Sequence, residues 1–356
     1  MDERSRSGQV TIRDVAQLAG VSTATVSKVL NNAPHVSDSA KERVHLAIGK
    51  LGYRPNAVAR SLKAKRTRTI GLITDDLEGV FTASMMRGVE EATNQQGLSV
   101  LLCNSYGAHD RERAHLAVLL DKQVDGIILM SGYRVRERAA PALDTHHVPI
   151  VFLYHYTQDV RVPCVIPDDY GGGWLGASHL ASNGRTRIGL INGPPHYEAT
   201  YHRHRGVVDA LREAGLVLDP RLVRSGKWDE THGYLMAREL VSLPNPPDAL
   251  FCMSDSLASG ALDALLELGI KVPGQIAVVG FDNRHFAAHQ HPPLTTVALP
   301  LREMGRLAGE LLMAAIRGDV PDQRVHKVPC SLVQRDSCGA PPGVSPSEPA
   351  ISAPVA

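Results

Sequence analysis

The spacing of apolar residues divides the chain into a short helical part, a longer body and a polar tail. In residues 10–55, apolar residues recur every three or four positions in three short runs, which predicts three amphipathic helices. Three residues stand where helix N-caps belong, namely Thr11, Ser22 and Ser37. Residues 1–9 lack this pattern and residues 339–356 are rich in Pro, Ser and Ala, so we expect both ends to be disordered.

From residue 69 onward, compact apolar runs of strand length mostly alternate with helix-length amphipathic segments. The runs are TIGLIT, SVLLCN, DGIILM, PIVFLY, RIGLIN, DALFCM and QIAVVGF. Because they do not alternate with polar residues, they are typical of parallel strands buried on both faces. The pattern predicts an α/β core of two doubly wound parallel-sheet subdomains. We expect the first at about 69–163 and 299–321, and the second at about 164–298 and 322–338.

The first two predicted helices, within VTIRDVAQLAGVSTATVSKVLNN (10–32), have the composition of a helix-turn-helix motif. This motif needs a small residue where the helices cross, a turn residue that tolerates positive φ, and apolar anchors on both helices. Ala16 is the small residue and Gly20 the turn residue, and Val15, Val21 and Val26 are the anchors. A purely structural helix pair with the same spacing is the alternative.

The charge is distributed unevenly along the chain, although the net charge is only +1. Residues 1–68 hold 13 Lys and Arg against 5 Asp and Glu, whereas the remaining residues hold 25 against 32. A basic head on a mildly acidic body usually contacts a polyanion, and a solvated basic tail is the alternative. Together with the helix-turn-helix pattern, this charge predicts binding to double-stranded DNA.

Composition favours a globular protein of a reducing compartment. Hydrophobic residues make up 43% and charged residues 21%, as in ordinary globular proteins. No apolar run approaches the ~20 residues that span a bilayer, and MDERSRSGQV lacks the apolar segment of a secretion signal. Five cysteines, an odd number mostly on predicted strands, indicate free thiols. We therefore expect a cytoplasmic protein.

The N-terminal stretch, followed by VSDSAKERVHLAIGKLGYRPNAVARSLK, resembles the headpiece of the LacI/GalR (lactose-repressor) family of bacterial transcription regulators. The resemblance is dense over residues 10–63 and continues more loosely to about residue 338, through HLASNGRTRIGLING, SDSLASGAL and VVGFDN. It implies an all-α helix-turn-helix headpiece before an α/β periplasmic-binding-protein-like core that binds a small effector and dimerises. No catalytic residue, cofactor or metal is implied.

The resemblance also implies a hinge helix, Asn56–Lys63, within a linker over 56–68. In that family the helix forms when two protomers sit on the operator, and a leucine, here Leu62, wedges into the minor groove. Eight residues are too few for a stable isolated helix, so folding coupled to DNA binding is physically reasonable. A linker residue packed on its own domain is the alternative for Leu62.

The DNA-contacting residues follow from both arguments. Short side chains on the second helix can approach base edges, and Lys28 is the one long donor there, suited to a guanine or a phosphate. By resemblance, Thr23, Ala24 and Lys28 occupy the base-reading positions. The full set of expected contacts is Thr11, Ser22, Thr23, Ala24, Thr25, Ser27, Lys28, Asn31, Tyr53, Asn56, Arg60, Leu62 and Lys63.

A cleft at the carboxyl ends of the strands of two α/β subdomains predicts a ligand site. By resemblance, Arg203, Asp255 and Trp228, at the end of the predicted strand LVRSGKW, occupy pocket positions, and Phe81 and Asp282 match less informative ones. The alternatives are a surface position for Arg203, a helix N-cap for Asp255 and a turn cap for Asp282.

One position departs from the family pattern. Members that bind sugars commonly carry Asp after the strand equivalent to PIVFL, where this chain has Tyr154. A tyrosine offers stacking and a neutral hydrogen bond in place of a carboxylate. The effector is therefore expected to be a sugar or a related ringed metabolite such as a glycoside or a nucleoside. The six expected effector contacts are Phe81, Tyr154, Arg203, Trp228, Asp255 and Asp282.

Other motifs are weaker. GGGWLG (171–176) satisfies G-x-G-x-x-G, but the next strand ends in Asn192 and Gly193 instead of the acidic residue of a dinucleotide site, which favours helix packing.

The leading hypothesis is a repressor that binds a palindromic operator as a homodimer. A dimer is favoured over a tetramer because no leucine heptad follows the body. An enzyme with a basic DNA-tethering head and a sugar-binding protein with a vestigial headpiece are the alternatives.

Overall fold

The structure, a computed structural model, describes residues 10–31, 33–53, 66–130, 148–155, 162–319 and 322–339. The predicted hinge helix (56–63) and both predicted disordered ends lie outside these residues, apart from Gly339. None of the described helices combines the length and the apolar character needed to cross a membrane. Contacts divide the chain into two compact units, Met1–Thr67 and Arg68–Ala356, called here the headpiece and the body.

The headpiece contains three helices, α1 (Ile12–Ala19), α2 (Thr23–Leu30) and α3 (Asp38–Leu51). Gly20 ends α1 with a left-handed φ of 61°, which glycine adopts without steric cost. Val15, Val26 and Val44, one from each helix, are completely buried and form the centre of the small core. The predicted anchors of the first two helices therefore pack against the third.

The body alternates strands and helices. Its strands are β1 (Thr69–Thr74), β2 (Ser99–Asn104), β3 (Gly126–Met130), β4 (Ile150–Leu153), β5 (Cys164–Pro167), β6 (Ile188–Asn192), β7 (Val223–Ser225), β8 (Ala249–Cys252), β9 (Ala277–Asp282), β10 (Thr295–Ala298), β11 (Val325–Val328) and β12 (Ser331–Val333). Its α-helices are α4 (Thr82–Asn94), α5 (His109–Asp121), α6 (Asp169–Ser182), α7 (Glu198–Glu213), α8 (Glu230–Val241), α9 (Asp255–Glu267) and α10 (Leu301–Arg317). All seven predicted runs form strands.

Two six-stranded sheets define two subdomains. The first sheet has the order β11-β5-β4-β3-β1-β2 and is entirely parallel. The second has the order β12-β10-β9-β8-β6-β7, and in it β12 runs antiparallel to β10. Both sheets carry helices on their faces, which is the predicted doubly wound architecture.

The predicted boundaries between the subdomains are wrong by one strand at two places. Strands β5 and β11, expected in the second subdomain, pair with each other, and β5 also pairs with β4 in the first sheet. The chain thus crosses between the subdomains after β5, after β10 and after β11. CVIP is preceded by a proline and ends in one, and VHKV is interrupted by His326 and Lys327, so neither shows the continuous apolar pattern of the other parallel strands.

Three pairs of body helices cross closely through reciprocal glycines. The pairs are α4 with α10, α6 with α7, and α8 with α9. In each pair a glycine of one helix faces the backbone of the other, and the six residues are Gly88, Gly305, Gly173, Gly206, Gly233 and Gly260. A Cβ on any of them would lie 1.9–2.2 Å from a carbonyl oxygen of the partner helix. The crossings therefore require glycine on both sides.

The GGGWLG segment lies in α6 and is part of this packing. Gly173 faces the backbone of Arg203, and Gly172 and Gly176 face the rings of Phe281 and Phe251, where a Cβ would lie 2.6 Å and 2.2 Å from the nearest ring atom. The glycines thus serve helix–helix and helix–sheet packing, as the sequence favours.

Candidate functional site

Helix α2 of the headpiece presents a short polar face. Ser22 caps the helix by accepting a hydrogen bond from the Thr25 N–H at 3.1 Å, and the two hydroxyls lie 2.9 Å apart. Thr23, Ala24 and Lys28 are exposed on the side away from the buried core residues. This face combines small side chains with one long cation, the arrangement expected of a helix that enters a major groove.

The other predicted DNA contacts differ in their surroundings. Thr11 donates from its N–H and its hydroxyl to Asp14, both at 2.7 Å, which fixes the start of α1. Asn31 donates from Nδ2 to the Ser27 carbonyl at 2.8 Å and so caps the end of α2. Tyr53 is half-buried against the headpiece core. The remaining four lie outside the described residues, namely Asn56, Arg60, Leu62 and Lys63.

In the body, a cavity of about 300 Å³ lies where the carboxyl ends of the strands of both sheets face each other. The first subdomain contributes, among others, Thr74, Asp75, Asp76, Phe81, Met85, Met130 and Tyr154. The second contributes Tyr197, Ala199, Arg203, Trp228, Ser254, Ser256, Asp282 and Arg284. Five of the six predicted effector contacts are thus brought together.

Arg203, on α7, is buried in the cavity floor and fixed by several contacts. It is only 3% exposed, which excludes a surface position. Its Nε donates to Asp169 at 2.7 Å and its Nη1 donates to the Met253 carbonyl at 2.6 Å. The guanidinium also lies 3.7 Å from the ring centre of Phe281. Its planar fork is therefore oriented before any ligand arrives.

Asp282, the last residue of β9, lies beside this guanidinium. Its Oδ1 is 3.6 Å from Nη1 of Arg203, and its φ of 105° is one that L-residues rarely adopt. Burial raises the pKa of Asp282 well above its usual value, although the charge of Arg203 opposes the shift. The Asp282 carboxyl group and the Arg203 guanidinium thus offer an acceptor and a donor side by side on the cavity floor. Such a pair can bind two neighbouring polar groups of one ligand.

Aromatic side chains form two walls, one from each subdomain. Phe81 and Tyr154 meet edge to face with ring centres 5.8 Å apart. Tyr197 and Trp228 meet at 87° with centres 6.0 Å apart. Trp228 lies three residues beyond β7, so the prediction that it ends the strand is wrong. Phe81 also packs against the hydrophobic cores of both subdomains. A ring-bearing ligand would fit between such walls.

Tyr154 stands directly after β4 with a left-handed φ of 57°. It is half-buried against the core of the first subdomain, and the loss of solvent around its hydroxyl raises the pKa of that group. The side chain is therefore neutral at physiological pH and offers a hydroxyl in place of a carboxylate. This neutral group distinguishes the cavity from one with Asp at the same position.

The prediction that Asp255 contacts the effector is not supported by its position, because it does not line the cavity. Its carboxylate is fully buried and accepts from the Thr296 hydroxyl and from the Arg284 N–H, both at 2.6 Å. Nor is it the N-cap of α9, a role that Ser254 takes by accepting from the Leu257 N–H. Asp255 thus anchors the backbone beside Arg284, which does line the cavity.

We expect Asp255→Asn to change the pH dependence of stability. Burial raises the pKa of Asp255 from 3.8 to about 6 despite its two hydrogen bonds, so the folded protein binds this proton more tightly than the unfolded chain. The carboxyl group therefore loses stabilising effect as the pH rises from about 4 to 6, by about 3 kcal/mol in total. Urea unfolding from pH 4 to pH 8 should show the parent weakening relative to the variant over that window. A difference that is constant with pH would contradict the prediction.

Sequence reasoning missed several cavity residues. Tyr197 and Arg284, which line the cavity, and Asp169, which holds Arg203 without lining it, were not among the expected contacts, although each follows the carboxyl end of a strand within a few residues. That position was the available signal, since ligands of open α/β sheets bind at this edge. Their side-chain directions depend on partners elsewhere in the chain.

The headpiece and body also match known proteins. A family model of bacterial regulatory proteins of the lacI family matches residues 11–56, and a model of a periplasmic binding protein-like domain matches residues 177–338. The HTH-type transcriptional repressor PurR of Vibrio vulnificus (strain CMCP6) is 35% identical over 328 residues, which cover 92% of this chain and 98% of that protein. This chain belongs to the lacI family.

Solved structures of lacI-family regulators share the fold. A Lac repressor dimer bound to operator and the anti-inducer ONPF is 29% identical with a TM-score of 0.78, covering 93% of this chain and 99% of that one. A complex of the regulator CelR with cellobiose is 32% identical with a TM-score of 0.67, covering 92% of this chain and 99% of that one. The expected family and fold are confirmed, and the enzyme alternative finds no support among these relatives.

Proposed function

We propose that this lacI-family chain represses transcription as a homodimer on a palindromic operator, and that a small metabolite in the body cavity controls its binding. The proposal rests on the cavity floor, where Arg203 and Asp282 form a donor and an acceptor between two aromatic walls. Because the walls belong to different subdomains, a ligand that touches both favours one arrangement of the subdomains over another.

The metabolite is a sugar or a related ringed compound with hydroxyl groups. Hydroxyl groups both donate and accept, and so satisfy the Asp282 carboxylate and the Arg203 guanidinium at once. The neutral Tyr154 and its neighbour Phe81 favour a ligand with a flat or apolar face on that side. The similar CelR structure contains cellobiose, which supports this class.

The headpiece reads the operator through the exposed face of α2. Thr23, Ala24 and Lys28 face away from the core, and the first 68 residues carry a net positive charge that attracts phosphates. Two headpieces would place their recognition helices in successive major grooves, with the Asn56–Lys63 hinges between them. The similar Lac repressor structure, a dimer on operator, supports this arrangement.

The cytoplasm is the proposed location. The chain's five cysteines are free, and four of them are buried within the body. Burial raises the pKa of Cys252 and Cys338, which keeps these thiols protonated and unreactive. Free thiols without disulfides are typical of a reducing compartment, where DNA is also accessible.

Selection from random duplex DNA with the full-length chain at near-physiological salt tests the proposal. We expect one palindromic sequence to be enriched. Leu62→Ala should weaken binding to it by about tenfold or more without changing the half-sites, because it removes the groove wedge. Lys28→Ala should instead alter the preferred half-site.

The selected palindrome then serves to screen effectors. Release or recruitment by a panel of mono- and disaccharides, aryl glycosides and nucleosides would identify the active class. No enriched sequence, with or without a bacterial metabolite extract, would refute the DNA-reading proposal. An unchanged half-site with Lys28→Ala would refute the role of that residue.

A further inference from the structure

The indole ring of Trp228 lies directly against Gly193, the first residue after β6. A Cβ on Gly193 would lie 2.0 Å from Cζ2 and 2.2 Å from Cη2 of this ring, far inside van der Waals contact. Gly193 does not adopt a positive φ, so its backbone conformation does not itself require glycine. What position 193 requires is space for the indole.

The backbone on both sides of this contact is fixed to the second sheet. The Asn192 side chain accepts from the Gly193 N–H at 3.0 Å, and the Asn192 carbonyl accepts from the Gly226 N–H at 3.1 Å. Asn192 also pairs with Ser225 where β6 and β7 run in parallel. A side chain at position 193 would therefore displace the indole and leave the backbone in place.

The same indole also lines the cavity. Its ring meets Tyr197 edge to face, and the Arg203 guanidinium lies 5.8 Å from its ring centre. A displacement of the indole by even an ångström would change both the wall and the space above the floor. The position of the wall thus depends on a residue that does not line the cavity.

We propose that Gly193 is a positioning residue for effector binding, because its lack of a side chain determines where the Trp228 indole stands in the cavity wall. The inference rests on the proposed function, in that the cavity must be the effector site. Gly193 acts only through Trp228 and needs no contact with the effector.

Tryptophan emission tests the position of the indole without any effector. The chain has two tryptophans, and Trp174 donates to Glu213 away from the cavity, so Trp174→Phe leaves Trp228 as the single reporter. In that background we expect Gly193→Ala to shift the emission wavelength and to change quenching by acrylamide. The matched control is Gly274→Ala, whose Cβ would meet only Lys271 at an ordinary 3.6 Å. Identical emission and quenching in Gly193→Ala and the parent would overturn the inference.

A double-mutant cycle tests the functional role with the active compound of the saccharide and nucleoside panel. Gly193→Ala should weaken the response of the operator complex by about tenfold, as for a misplaced aromatic anchor. In a Trp228→Ala background the same change should cause no further loss. An equal loss in both backgrounds would overturn the proposal, because Gly193 would then act independently of the indole. If Trp228→Ala leaves the response intact, the proposed effector site itself is wrong, whatever the emission shows.

Discussion

Arg203→Ala is expected to abolish the response of the operator complex to its effector and to lower the free energy of unfolding by about 3–5 kcal/mol. The substitution removes the guanidinium from between Asp169 and Asp282 and leaves two buried carboxyl groups without their cation. It also leaves the Met253 carbonyl without its donor. The cavity floor then lacks a fixed hydrogen-bond donor. The free energy of effector binding is also reduced by the cost of reorganising the two carboxyl groups.

The effects on stability and on response can be separated by two further variants. Arg203→Lys keeps the positive charge but loses the planar fork, so we expect a smaller loss of stability together with a strongly weakened response. Arg205→Ala, two positions along the same helix and exposed, should change neither property. Denaturant unfolding and operator release would be measured on all three. A full effector response in Arg203→Lys would show that the fork is not needed for recognition.

Gly260→Ala is expected to destabilise the body by about 3 kcal/mol, although alanine is the better helix former. Its Cβ would lie 1.9 Å from the Glu230 carbonyl oxygen, so α8 and α9 would have to separate. Because these helices cover one face of the second sheet, the separation also opens the core beneath them. The loss would be measured as a lower free energy of unfolding in urea.

Two controls show that the effect belongs to the crossing and not to glycine itself. Gly49→Ala, in α3, would meet no described atom within 4 Å, and we expect it to stabilise the headpiece by about 0.5–1 kcal/mol. Gly233→Ala on the opposite helix should cost less in the presence of Gly260→Ala than alone, because the helices have already moved apart. Additive losses would contradict a shared contact.

The headpiece could be predicted from the sequence because its signals are local. Ser22 and Ser37 cap their helices by accepting from backbone N–H groups three residues further on, and Gly20 takes the left-handed turn. The apolar spacing of each helix identified the buried positions that meet in one small core, such as Val26. Each of these features depends on residues fewer than five positions apart.

The body was predictable as an architecture but not in its connections. Continuous apolar runs identified most strands, whereas β5 and β11 lack such a run and acquire their place by pairing across the sheet. Asp255 shows the same limit in the cavity. Its direction is set by Thr296 and by the backbone of Arg284, 41 and 29 residues further along, so no local pattern could distinguish an anchor from a ligand contact.

The chain crosses between the two subdomains three times, and this affects its folding during synthesis on the ribosome. Strand β11 forms one edge of the first sheet and β12 one edge of the second, and both follow the other ten strands in chain order. Helix α10, which packs on α4, is likewise made late. The first sheet therefore cannot be completed before residues 325–328 have been synthesised, nor the second before residues 331–333, and termination ahead of these strands leaves two unfinished sheets with exposed edges.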